Sequence, residues 1–205
     1  AGFFPTYNRN KKSLAVDLKS AAGREIVLKL VKTADVVSEN FRPGAMDKLG
    51  FGYEAVKKIR PGIVYCSHKG FLPGPYDHRT ALDEVVQMMG GLAYMTGLPD
   101  RPLRVGSSVN DIMGGMFGAI GILAALRERD QTGRGKCVTS ALFESTVFLV
   151  AQHMAQLAIT GEDGKFTLKG LPPGTYTVEA WHEKLGPMSQ SVTLGAKETK
   201  DVTFT

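Results

Sequence analysis

The sequence predicts an α/β protein: a parallel, doubly wound sheet with long Gly-rich helices, followed by a small antiparallel all-β module. Three observations carry that expectation. Short apolar runs of strand type alternate with segments of helical periodicity between residues 13 and 159. The helical segment over 111–129 is crowded with glycine and alanine. At Gly161 the chain turns to Thr-rich alternating runs separated by Pro/Gly turns. With 205 residues, 43% of them hydrophobic and 22% charged, the composition is ordinary for a globular protein of one large domain or a medium domain plus a small one.

Ser13-Leu-Ala-Val-Asp-Leu18 alternates enough to be a strand. Ser20 is placed to cap a helix whose Ile26, Val27, Leu30 and Val31 share an apolar stripe. Residues 35–38 read as a second strand that runs into the loop Glu39-Asn-Phe-Arg-Pro-Gly44. Helices follow over 45–49 and 53–59, Arg60-Pro-Gly62 stops the second, and the apolar run 63–67 is of buried-strand type. Beyond the Gly/Pro-rich loop 70–75, helices are expected over 82–95 and 111–129. In the longer one, Gly114, Gly115, Gly118, Ala119, Gly121, Ala124 and Ala125 imply a backbone packed very closely against another helix, a second subunit or a ligand. Gln131-Thr-Gly-Arg-Gly135 ends it, and 136–142 leads into a helix reaching 159. The boundary between the α/β region (1–160) and the β module (161–205) follows. Strands are expected over 165–168, 175–180, 190–194 and 200–205, in a module near the size at which independent stability becomes doubtful.

Several function classes are disfavoured. Cys66 and Cys137 are far apart without metal-ligand partners, so neither a disulfide scaffold nor a zinc site is expected, and a reducing cytoplasm is the default location. His68, His78, His153 and His182 share no ligand spacing, so no metal is expected. The most apolar region, 112–126, reads as too short and Gly-laced to cross a membrane, and the N-terminus places apolar residues before basic ones, unlike a secretory signal. The net charge of +5 belongs to residues 1–160, with 20 Lys and Arg against 14 Asp and Glu, whereas residues 161–205 have 5 against 6. The basic residues are scattered, so nucleic-acid binding has weak support; a mild positive field suits a small polyanionic ligand equally well, and a solvated surface that happens to be basic is the plainer reading of most of them.

Asp111 is the informative carboxylate. It opens the Gly-rich helix after Arg104-Val-Gly-Ser-Ser-Val-Asn110, where free backbone N–H groups would keep it ionised, as an attacking carboxylate must be. A plain helix cap is the other use of an aspartate there.

Separate motifs stand in order from Asn8 to Gly161. They are Asn8-Arg-Asn-Lys-Lys-Ser-Leu-Ala-Val-Asp-Leu18, Ala34-Asp-Val-Val-Ser-Glu-Asn-Phe-Arg-Pro-Gly44, Leu49-Gly-Phe-Gly-Tyr53, Ile63-Val-Tyr-Cys-Ser67, Gly90-Gly91 with Thr96-Gly97, Val105-Gly106 with Asp111, and Ala124-Ala-Leu-Arg-Glu-Arg129 with Thr132-Gly-Arg-Gly135. This run resembles the class III CoA-transferase family, whose relatives include formyl-CoA transferase, carnitine CoA-transferase and alpha-methylacyl-CoA racemase. The resemblance implies part of a Rossmann-like sheet, with Asp111 as a nucleophile that passes through an aspartyl-acyl anhydride and an aspartyl-CoA thioester. It implies no resident cofactor, coenzyme A and acyl-CoA as substrates, a carboxylic acid acceptor, and a homodimer. It places CoA near Asn40, Phe41, Arg42 and Lys48, where two cations suit phosphates and Phe41 suits adenine. A capped turn with Phe41 in the core is the other reading of that loop.

The racemase branch carries a histidine where this chain has Leu82, before Asp83, which favours transfer over racemisation. Asp77, His78, Arg79, Arg101 and Arg104 surround the expected acyl pocket in sequence and suggest a dicarboxylic acyl group such as succinyl. Family members are about twice this length, so the chain is expected to be truncated or fused near Thr160. A non-catalytic binding or scaffold protein is the alternative. Residues 162–205 resemble part of a carboxypeptidase-regulatory-like β-sandwich.

Overall fold

The computed structural model describes residues 2–98, 100–160, 167–182 and 186–204. In chain order the elements are α1 (Phe3–Tyr7), α2 (Ala21–Val31), β1 (Val36–Glu39), α3 (Ala45–Leu49), α4 (Tyr53–Ile59), β2 (Val64–Lys69), α5 (Asp83–Met89), α6 (Leu92–Thr96), α7 (Val109–Thr132), β3 (Cys137–Ala141), α8 (Leu142–Thr160), β4 (Gly174–His182) and β5 (Gly186–Leu194). Two compact units result, Ala1–Gln152 and His153–Thr205.

The first unit is the expected α/β architecture. Its sheet is parallel throughout, in the order β1-β2-β3. Parallel strands need crossovers, supplied by α3 and α4 between β1 and β2 and by α5 to α7 between β2 and β3. On one face Val37, Tyr65 and Ile63 pack with Val27 and Val31 of α2 and with Tyr53 and Val56 of α4. Ser20 begins α2 as expected, its hydroxyl accepting the Gly23 N–H at 3.0 Å. Of the apolar stripe, Val27 and Val31 reach the core, whereas Ile26 and Leu30 are exposed.

The other face carries α7. By strand alternation Cys66, His68, Val138 and Ser140 point the same way, and the glycines of α7 lie over them. A Cβ at Gly118 would stand 2.3 Å from His68 Cε1, and one at Gly121 would stand 2.6 Å from Val138 Cγ1. The Ser140 hydroxyl donates to the Gly114 carbonyl at 2.6 Å. At Gly118 and Gly121 the close approach expected for this helix is to the sheet, while Gly115 and Ala119 line a cavity. At the far end Arg129 donates to Asp35 Oδ1 at 3.0 Å and to the Gly62 carbonyl at 3.4 Å.

Four expectations are corrected. Residues 13–18 form no strand: among the described residues β1 pairs with β2 alone, and the Asp17 carbonyl turns instead to the Ser20 N–H at 3.1 Å and hydroxyl at 2.9 Å; Leu14 is exposed. The helix expected over 82–95 is two helices, broken where Gly91 turns left-handed at φ 86°. Residues 137–141, read only as a lead into a helix, are strand β3. Helices α7 and α8 are each long and apolar enough to cross a membrane by length and composition, contrary to the reading of 112–126 as too short. Helix α7 spends that length on the sheet.

In the second unit, β4 and β5 pair antiparallel from Gly174↔Leu194 to His182↔Gly186. Two of the four expected runs are thus strands. Residues 165 and 166 and Thr205 lie outside the described residues, while 167–168 and 200–204 are not strand.

Gly118→Ala should destabilise the chain by about 1–3 kcal/mol through overpacking on the His68 ring. The same change in a His68→Ala background should cost measurably less, which a double-mutant cycle in urea reads directly.

Candidate active site

The carboxyl ends of β1, β2 and β3 open into one cavity of about 1300 Å³. Open α/β sheets bind ligands at this end, because the loops that follow the strands converge there. The loop after β1 supplies Asn40, Phe41 and Arg42 to the cavity wall, and α7 supplies Asp111.

A buried ion pair hangs the first of these walls. Glu39, the last residue of β1, is 7% exposed. It receives Lys69 Nζ at 2.7 and 3.0 Å, the Ser67 hydroxyl, and the Phe41 N–H at 2.8 Å. Lys69 also donates to the Phe41 carbonyl at 2.8 Å. Both backbone polar groups of Phe41 are thereby held, and its ring is 45% exposed rather than buried in the core. Gly44, at φ 73°, then turns the chain into α3. Lys48 sits exposed in the last turn of α3 and does not line the cavity, so the structure unites three of the four expected cofactor contacts.

Asp111 lies in the first turn of α7. It is not the cap of that helix. Asp83, 3% exposed at the start of α5, takes the Asn110 N–H at 2.8 Å and the Asp111 N–H at 3.4 Å on Oδ1. The expectation that the helix end would favour ionisation of Asp111 is also corrected. Partial burial, then the charges of Asp83 and Glu84, push its carboxyl above the usual range against an opposing pull from Arg104.

Of the residues expected around an acyl group, Arg79 lines the cavity, its guanidinium 4.8 Å from the Tyr76 ring centroid. Arg104 instead approaches Asp83 at 3.6 Å, and His78 pairs with Asp77 at 3.8 Å in the open. Arg101 does not reach the cavity wall. Leu82, Val85, Ile112 and Met116 add apolar wall beside Asp111.

Lys11, Ser38, His68 and Lys69 also line the cavity and were not expected there. His68 Nε2 lies 3.1 Å from the Ser38 hydroxyl, and burial pushes its pKa down, which favours the neutral ring. For Glu39 and Lys69 a signal existed: opposite charges at the ends of two short apolar runs, which become neighbours once the strands are parallel.

The fold and site define an α/β protein with a cavity at the carboxyl ends of parallel strands, a carboxylate on one wall and a pinned loop of an aromatic and a cation on another. Residues 1–181 match the sequence model of CoA-transferase family III, and the chain belongs to that family. It is 42% identical over 163 residues to acetyl-CoA:oxalate CoA-transferase of Acetobacter aceti, covering 78% of this chain and 42% of that protein. It is 35% identical over 172 residues to succinyl-CoA–D-citramalate CoA-transferase of Chloroflexus aurantiacus, covering 83% and 43%. The crystal structure of a CAIB/BAIF family protein from Brucella suis superposes with a TM-score of 0.73 at 36% identity, covering 88% of this chain and 48% of the other. The chain spans less than half the length of these relatives.

Lys69→Met should cost about 3 kcal/mol in chemical denaturation, because it strands the Glu39 carboxylate in a buried site. Asp111→Asn should act in the other direction. The folded-state pKa of Asp111 lies above its ordinary 3.8, so ionisation of this carboxyl opposes folding. The neutral variant should be the more stable at pH 7, with the gain fading as the pH falls toward 3.8.

Proposed function

We propose that this chain carries the nucleophile and part of the CoA-binding wall of a CoA-transferase that moves CoA from an acyl-CoA thioester to a carboxylic acid. One observation supports this above the others: Asp111 and the Asn40–Arg42 loop face the same cavity. The names of the relatives, which act on oxalate and citramalate, point the same way.

On this reading an Asp111 carboxylate oxygen attacks the thioester carbonyl, the C–S bond breaks, and CoA leaves as thiolate. The thiolate attacks the aspartyl carbonyl of the resulting anhydride, releasing the donor acid and leaving an aspartyl-CoA thioester. The acceptor carboxylate repeats the sequence in reverse, so that CoA departs on the acceptor and the Asp111 carboxylate is regenerated. No net proton is taken up, which suits a site whose histidine is neutral. The carboxyl of Asp111, raised by its neighbours, is a more basic and hence better nucleophile than a helix-capped one. Arg42 supplies positive charge for the phosphates, and the exposed Phe41 face receives adenine.

The acyl group is dicarboxylic, with Arg79 as the cation that pairs with its distal carboxylate, and the acceptor is a carboxylic acid. We extend the reading to a cytoplasmic homodimer, in which the exposed Met116, Ile120 and Leu123 of α7 are covered.

Calorimetric titration with CoA tests the binding half of this reading. Saturable binding is expected, weakened about tenfold in Arg42→Ala, the loss of one charge-assisted contact. Absence of saturable binding at millimolar CoA would leave a scaffold as the better account.

A further inference from the structure

The segment 103–108 approaches the nucleophile without regular structure, and two side chains on one face of α5 hold it. Gln87 is completely buried. Its Oε1 accepts the Val105 N–H at 2.7 Å, and its Nε2 donates to Asp83 Oδ2 and to the Ser107 carbonyl at 3.5 Å. Asp83, one helical turn earlier, spends its other oxygen on the Asn110 and Asp111 N–H groups. Both ends of the 105–111 stretch are therefore tied to one pair of side chains.

Stability alone does not call for this arrangement. An apolar pair of similar volume would fill the space without desolvating a carboxylate. Asn110 adds to the cost, since both polar atoms of its side chain are buried without a partner among the described residues. What the cluster secures is geometry.

We propose that Asp83 and Gln87 form a buried latch of positioning residues for Asp111: Gln87 locks the Asp83 carboxylate, and that carboxylate fixes the first turn of α7 and occupies the backbone N–H groups at its end. Asp111 is left facing the cavity with its oxygens free for chemistry. The latch has an electronic consequence too, because a carboxylate denied the helix end and set near another negative charge is more basic. The charged groups facing Asp111 are Asp83 and Glu84 from α5 and Arg104 from the 103–108 segment. Arg79, His68 and Lys69 line the same cavity. The inference deepens the proposed function and rests on Asp111 as the residue that forms the covalent adduct.

Carbon-13 NMR titration of the aspartate carboxyls in the full chain, with Asp111 assigned through Asp111→Asn, tests it without any acyl-CoA. In Asp83→Asn the Asp111 midpoint should fall, whereas Glu84→Gln should lower it less. In Gln87→Met the Asn110 and Asp111 amides should exchange with solvent about tenfold faster while those in the middle of α7 keep their protection. CoA affinity should stay within about threefold of the parent in Asp83→Asn, Glu84→Gln and Gln87→Met, since none of these residues belongs to the Asn40–Arg42 wall. An unmoved Asp111 midpoint in Asp83→Asn overturns the proposal. If that variant does not fold, Gln87→Met decides, and unchanged exchange at 110 and 111 overturns it. Failure of the parent chain to bind CoA would instead retire the transfer reading, and leave the latch to be judged by titration and exchange.

Discussion

Helix α7 lies against β2 and β3 at a distance that only glycine permits, and the candidate site depends on that contact. Gly118 and Gly121 have no room for a side chain over His68 and Val138, and Ser140 reaches the Gly114 carbonyl directly. Because the helix is seated so deeply, its first turn arrives at the carboxyl edge of the sheet, where the loop after β1 also emerges. The glycines cost helix propensity and contribute placement. A helix of larger residues would stand farther out, and Asp111 would no longer share a wall with Phe41 and Arg42.

The second wall rests on electrostatics rather than on packing. Glu39 and Lys69 end adjacent parallel strands, and their pairing leaves the backbone of Phe41 no freedom while its ring stays open to solvent. A buried ion pair is a weak source of net stability, so its use here is better understood as holding one loop conformation. The two walls share a logic. In each, a buried carboxylate takes a backbone N–H, that of Phe41 on Glu39 and those of Asn110 and Asp111 on Asp83, beside a side chain that faces the cavity.

Much of the fold was legible in the sequence because its punctuation is strong. Pro43-Gly44, Gly50 and Pro61-Gly62 bracket α3 and α4, and Ser20 marks the start of α2. What could not be read locally depends on partners far along the chain. Strand β3 is short and polar, and becomes a strand by pairing with β2 some seventy residues earlier. Residues 13–18 have the better alternation and no strand beside them among the described residues. At the site, the motif residues Asn40, Phe41, Arg42 and Asp111 were legible, and the structure gathers them. Asp83 as the cap of α7, Gln87 behind it and the Glu39–Lys69 pair were not, because each acts across elements that only tertiary structure brings together. The raised pKa of Asp111 is of the same kind, because partial burial and then the neighbouring Asp83 and Glu84 carboxylates cause it, and a local reading saw only a helix end.

Everything proposed for this chain converges on covalent chemistry at one carboxylate. Incubating the full chain with an acyl-CoA, trapping with hydroxylamine and mapping peptides by mass spectrometry reads it most directly. The prediction is a hydroxamate on Asp111, absent in Asp111→Ala. The same modification on another carboxylate, or none in a chain that binds CoA, would contradict it.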